Sequence, residues 1–139
     1  MPLNDRDEKI YMRNFLIYHL PLIVYGAAIL LVSSIPHLKS PELRILAADK
    51  VAHTLEYALF ALLAYRSLSN LGKESGVNLT FILSLSLLAV FALLDELLQS
   101  FTPGRHPELG DYLFDLLGGV IVLVYLRWRQ GRTGTPQEP

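Results

Sequence analysis

The chain has 139 residues, 52% of them hydrophobic and only 18% charged, with a formal net charge of -1 and no cysteine. That balance disfavours a water-soluble enzyme. It also disfavours a nucleic-acid binder, which needs a basic face, and a disulfide scaffold, which needs cysteine pairs.

In chain order, residues 15–35 contain no Asp, Glu, Lys or Arg, and about twenty apolar residues suffice to cross a hydrocarbon core roughly 30 Å thick. Asp5, Asp7 and Glu8 precede this stretch, which is atypical of the basic leader of a cleaved signal peptide, so it reads as an uncleaved first span. His19 and Pro21 lie within it and read as packing residues. Residues 36–41 hold two prolines and form a loop. Residues 51–68 form a second apolar stretch, 69–78 a turn with Gly72 and Gly76, 79–98 a third stretch and 112–126 a fourth. Gly26-Ala27-Ala28 and Gly118-Gly119 are small-residue patches that let membrane helices approach closely. Tyr11, Tyr125 and Trp128 fit interfacial anchors. From Gly131 onward no apolar face remains, which predicts a disordered tail. The expected fold is an all-α, membrane-embedded bundle of four transmembrane helices, one domain over residues 1–130 with a tail at 131–139.

Basic residues set the expected orientation. Arg6, Lys9, Arg13, Arg66, Lys73, Arg127, Arg129 and Arg132 lie on one side, against Lys39, Arg44, Lys50 and Arg105 on the other. The positive-inside rule therefore places both termini in the cytoplasm. Five of the carboxylates accompany the eight inner bases, and eight accompany the four outer ones.

The polar chemistry gathers at three helix ends. Asp49, His53 and Glu56 stand at i, i+4 and i+7, on one helix face, and Tyr57 flanks them. Asp95, Glu96 and Gln99 close the third span before the Thr102-Pro103-Gly104 turn, and Asp111 and Asp115 open the fourth after Arg105. Because spans alternate in direction, the start of the second, the end of the third and the start of the fourth meet on one membrane face. Ionisable groups at membrane depth face a bundle interior or a wet cavity as a default and mark functional pathways. Six carboxylates against Lys50 and Arg105 cannot all stay charged in a low dielectric without compensation. Either some hold protons, or a cation or cationic ligand belongs there. Arg105 is a natural clamp for a carboxylate or for a lipid phosphate. General acid and base roles are open to Glu56, Asp95 and Glu96. Carboxylates with one histidine suit a hard or borderline divalent cation, but there is no H-E-x-x-H pattern, so the sequence names no metal. Ser33, Ser34, Ser84 and Ser86 lack an adjacent base and read as helix-bonding residues.

Three blocks together, Asp49-Lys50-Val51-Ala52-His53-Thr54-Leu55-Glu56-Tyr57, Asp95-Glu96-Leu97-Leu98-Gln99-Ser100-Phe101-Thr102-Pro103-Gly104-Arg105, and Asp111 with Gly118 beyond it, resemble the VanZ-like family in order and spacing. The resemblance covers nearly the whole chain. It implies a bacterial, membrane-embedded protein of the cell envelope, in a family named for a protein associated with resistance to teicoplanin. Asp49, His53, Glu56, Asp95, Glu96, Gln99, Arg105 and Asp111 carry over as signature positions. Asp115 stands where the family often has asparagine, and Glu108 where a small polar residue is common.

The reading that follows is an inner-membrane protein with an outward-facing carboxylate, histidine and arginine pocket. Glu56, Asp95 and Glu96 are its candidate catalytic groups, and Asp49, His53, Gln99, Arg105 and Asp111 its candidate ligand-binding groups. Its expected partners are membrane lipids and a lipid-linked cell-wall precursor or glycopeptide. The alternatives are a non-catalytic helical scaffold for another membrane protein, and an intramembrane metal-dependent hydrolase.

Overall fold

The computed structural model describes residues 4–36, 46–71, 77–105 and 107–133, with the side chains of 46–49, 77 and 133 also outside the description. Most of the loop expected at 36–41, the glycines of the turn at 69–78 and the tail from 134 fall outside those residues. Every regular element described is helical: α1 (Asp5–Asn14), a π-helical turn (Phe15–His19), α2 (Leu20–Ser33), α3 (Leu46–Leu71), α4 (Val77–Ser100) and α5 (Leu109–Thr133). The helix of α5 runs through Gly131 to Thr133, three residues into the segment read as tail.

The first three elements form one continuous rod, Asp5–Ser33. Its π turn immediately precedes Pro21, which has no N–H to donate to the preceding turn. A wider turn is a known way for a helix to absorb such a local mismatch. Asp5, Asp7 and Glu8 occupy the first turn, where carboxylates interact favourably with the positive end of the helix dipole.

Among the described residues, three helices are long and apolar enough to cross a membrane: Asp5–Ser33, Asn78–Ser100 and Leu109–Arg132. The fourth stretch predicted to span, now α3, has 26 residues and a length of about 39 Å, so length is not what distinguishes it. His53, Glu56 and Arg66 interrupt it, so it holds no stretch as long and apolar as those of the other three. The packing supplies the reason, because α3 lies against both α4 and α5 and also meets α2. Its buried face is Tyr57, Phe60, Ala61, Ala64 and Tyr65, at helical spacing. Val51, Leu55, Leu59 and Leu62 form an exposed stripe on the same helix.

Polarity is inverted relative to a water-soluble bundle. Thr80, Ser84, Asp95 and Gln99 face inward from α4, while Leu79, Ile82, Leu83, Val90, Leu93 and Leu97 face outward. On α5, Asp111 and Asp115 are buried and Leu113, Leu117, Ile121 and Val124 exposed. Large aliphatic side chains on the surface and carboxylates in the seam are what a hydrocarbon solvent selects.

Small residues set how closely the helices approach. A Cβ on Gly118 would collide with the Thr54 backbone carbonyl, so α3 and α5 cross with backbone nearly against backbone. At Gly119 the obstacle would be the Leu88 side chain of α4, and at Gly26 the Phe91 ring, 3.1 Å away. Phe91 stacks on Phe60 with centroids 4.3 Å apart, which ties α3 to α4 beneath α2. Ala27 and Ala28 are exposed and take no part in this contact.

Candidate functional site

The starts of α3 and α5 and the ends of α2 and α4 lie at the same end of the bundle, where Lys50, His53, Asp111, Asp115, Arg105 and Val32 contact one another across the elements. The polar groups there form successive levels. At the rim, the Lys50 ammonium donates to Asp111 and, at 3.0 Å, to Glu108. Burial alone would lower the Lys50 pKa; bonds and charges from Asp111 and Glu108 outweigh it and hold the ammonium above its ordinary 10.5. Asp111, a candidate ligand-binding group, is therefore already engaged by a cation. Lys50 and Glu108 stand outside the sequence candidates, although Lys50 lies in the second turn of α3 and Asp111 in the first turn of α5, with opposite charge.

One turn inward, about 6 Å along α5, His53 Nδ1 lies 2.9 Å from Asp115 Oδ1, and the Asp115 side chain is completely buried. Asp115 is the better placed of the two α5 acids to act on the interior. The same i, i+4 spacing that paired it with Asp111 in the sequence puts it level with His53.

Deeper still are Tyr57, Glu56, Asp95 and Glu96. Asp95, His53, Asp115 and Arg105 are ionisable neighbours of Glu56, and Asp111, Asp115, His53 and Asp95 of Glu96. Asp95 and Glu96 are buried, at 2% and 8% exposure. Gln99 Nε2 approaches Asp95 Oδ2 at 3.4 Å, a long bond within one helix. The Tyr57 hydroxyl lies beside Asp95 without closing a hydrogen bond to it. Among the described residues, Tyr57 Oη, Asp95 Oδ1, both Glu96 carboxyl oxygens, Asp115 Oδ2 and Arg105 Nε are all buried and have no hydrogen-bond partner. Buried polar atoms are almost always satisfied in native proteins, so a cluster of orphans calls for water, a proton or a ligand.

Arg105 reaches the site by a tight turn. Its N–H donates to the Thr102 carbonyl at 3.1 Å, Pro103 precedes Gly104, and Gly104 has φ 81°. A proline at the second position and a left-handed glycine at the third define a type II turn. The guanidinium then donates through Nη2 to the Val32 carbonyl at 3.2 Å, near the C-terminus of α2, where the negative end of the helix dipole favours a cation; the same carbonyl also accepts from the Ile35 N–H. It makes no ion pair with a carboxylate among the described residues; it braces α2 and keeps one buried N–H unpartnered. The Asp49 side chain lies outside the described residues. Among those residues, no group of three His, Asp or Glu side chains is arranged to hold a metal.

The site can therefore supply several acceptor oxygens, one phenol donor and one partly used guanidinium, with more acid than base. Tyr57 is the functional candidate that sequence reading left at the margin. Its place four residues after His53 and next to Glu56 was the available signal.

A bundle of apolar-surfaced helices with carboxylates in its seam is a polytopic α-helical membrane protein. The family profile described as VanZ/LLP1 matches residues 7–130, and the chain belongs to that family. No curated protein and no solved structure matches it.

Proposed function

We propose that this chain is a bacterial inner-membrane protein, both termini cytoplasmic, whose acid-rich end opens outward and binds a lipid-linked or cell-wall-related ligand. The observation that carries the reading is the cluster of buried, unpartnered oxygens on Asp95, Glu96, Asp115 and Tyr57. A ligand rich in N–H and O–H donors, carrying positive charge, would complete those oxygens and offset the acid excess. The basic residues at the other end support the orientation. Glu56, Asp95 and Glu96 are the groups placed to exchange protons with such a ligand. Membership in this family extends the proposal to glycopeptide tolerance, with teicoplanin the first compound to try.

The test is single replacement by near-isosteres, Asp95→Asn, Glu96→Gln and Glu56→Gln, in a teicoplanin-sensitive bacterial host expressing the chain. The expected result is protection by the wild type and its loss in each variant, with membrane abundance unchanged. Native mass spectrometry of protein released gently from the same membranes should show a retained envelope lipid that the variants lack. Loss of abundance in every variant would favour the scaffold reading, which the Arg105 brace to Val32 and the close α3–α5 crossing at Gly118 support.

A further inference from the structure

The opposite end of the bundle carries a second polar feature that the acid-rich site does not use. Arg127, Trp128 and Arg132 on the last turns of α5 and Phe81 near the start of α4 line an open groove of about 560 Å³ together with Val124 and Gly131. The Arg127 guanidinium carbon stands 5.0 Å above the Phe81 ring and that of Arg132 4.0 Å above Trp128. Among the described residues neither arginine has a carboxylate within ion-pair distance. Stacking on a ring occupies the face of a guanidinium and leaves its N–H edge free to bind an oxyanion.

A second, shallow depression on the face of α5 itself, formed by Val120, Ile121, Val124, Tyr125 and Trp128, shares Val124 and Trp128 with the first. It extends along α5 from the arginines towards the middle of the span; Val120 and Arg127 are roughly 10 Å apart along the axis. Its lining is aliphatic and aromatic apart from one phenol. Two continuous depressions, one cationic at the membrane edge and one apolar beneath it, reproduce the two halves of a phospholipid.

We propose that this face binds an anionic phospholipid, its phosphate between Arg127 and Arg132 and one acyl chain along Val120, Ile121 and Val124. Charge complementarity selects the anionic headgroup over a zwitterionic one, and the shallow apolar face that continues from the arginines selects a lipid over a free phosphate.

Native mass spectrometry of the full-length protein in mild detergent, with equimolar phosphatidylglycerol and phosphatidylcholine of matched chains, tests this directly. Wild type is expected to retain phosphatidylglycerol preferentially, and the preference should fall about fivefold for each arginine removed, approaching parity in Arg127→Gln/Arg132→Gln. Should that double variant fail to stay monodisperse, Gly131→Leu fills the groove with both charges kept; a Cβ there meets nothing within 4 Å, so the fold tolerates it. Equal retention of the two lipids by wild type, or an unchanged preference in the variant tested, overturns the proposal. So does displacement of the lipid by millimolar glycerol 3-phosphate, which would make free phosphate the ligand. A lipid-free dimer would assign the face to a second copy of the chain.

Discussion

The two ends of the bundle solve the same problem, fixing helices against one another, with different chemistry. At the acid-rich end two of the contacts that join the elements rest on buried carboxylates, Lys50 to Asp111 and His53 to Asp115, while a third, Arg105 to the Val32 carbonyl, is exposed. At the other end the contacts involve no buried carboxylate: Arg66 lies over the Tyr18 ring at 5.2 Å and Arg127 over Phe81, His19 meets Ser67 at 2.7 Å and Tyr65 donates to Gln130 at 2.6 Å. In the first case charges are removed from water and must find partners, so losing one partner leaves a desolvated group behind. In the second, most of the charged heads keep access to solvent or headgroups, and a lost contact is replaced cheaply. The comparison teaches that the acid-rich end carries polarity beyond what packing requires, since it also holds oxygens that no described residue satisfies.

The largest effect should come from breaking the deepest pair. His53→Leu leaves the completely buried Asp115 carboxyl without its partner and is expected to cost about 3–5 kcal/mol, read as a lowered unfolding midpoint in detergent. The double variant His53→Leu/Asp115→Leu, which removes both polar groups, should recover much of that loss. If the single variant is as stable as wild type, the two ends do not differ as described.

Next in size is Gly118→Ala. Its Cβ would meet the Thr54 backbone, which cannot move aside without separating α3 from α5. The expected cost lies at the upper end of the roughly 1–3 kcal/mol typical of overpacking. Gly26→Ala should cost less, because the Phe91 ring it meets can shift by a few tenths of an ångström.

The sequence made some of this legible and hid the rest for physical reasons. Helical periodicity and alternating span direction were enough to bring the starts of α3 and α5 and the end of α4 to one place, because both rules depend only on backbone geometry. The Gly118-Gly119 approach was readable for the same reason. Which acid pairs with which base was not, because that depends on rotation and depth to within one helical turn. Lys50 stood in the sequence only as one of the outer bases, yet its side chain is only 19% exposed and it bridges two acids. Nor was the contact of Arg105 with the Val32 carbonyl readable, because a backbone acceptor on another helix leaves no trace in side-chain patterns. The polar interruptions of α3 were visible in its sequence, and only its packing against α4 and α5 explains them.

Lys50→Met sharpens the comparison at the rim. It should cost about 1–3 kcal/mol, because Asp111 is left buried without a cation while Glu108 stays hydrated. The folded ammonium titrates above 10.5, so the stability it contributes is fully present below the unfolded value and is lost only as pH rises through the higher folded one. The gap between wild type and Lys50→Met should therefore stay constant from neutral pH to about pH 10 and close only beyond it. A gap that closes near neutrality would mean that a different group supplies the effect.

The smallest expected effect belongs to the other end. Tyr65→Phe removes a hydroxyl that donates to Gln130 Oε1 at 2.6 Å. Tyr65 is buried, but Gln130 is exposed, so its amide oxygen can turn to water or a headgroup once the phenol is gone. The ring itself stays packed against the core. What is lost is one neutral hydrogen bond with a replaceable acceptor, about 0.5–1.5 kcal/mol and nearer the lower figure. Measured beside His53→Leu in the same detergent, this variant gives the contrast its scale. Two polar contacts of similar length, 2.6 and 2.9 Å, should differ several-fold in their cost of removal, because only one of them leaves a buried group that nothing else can satisfy.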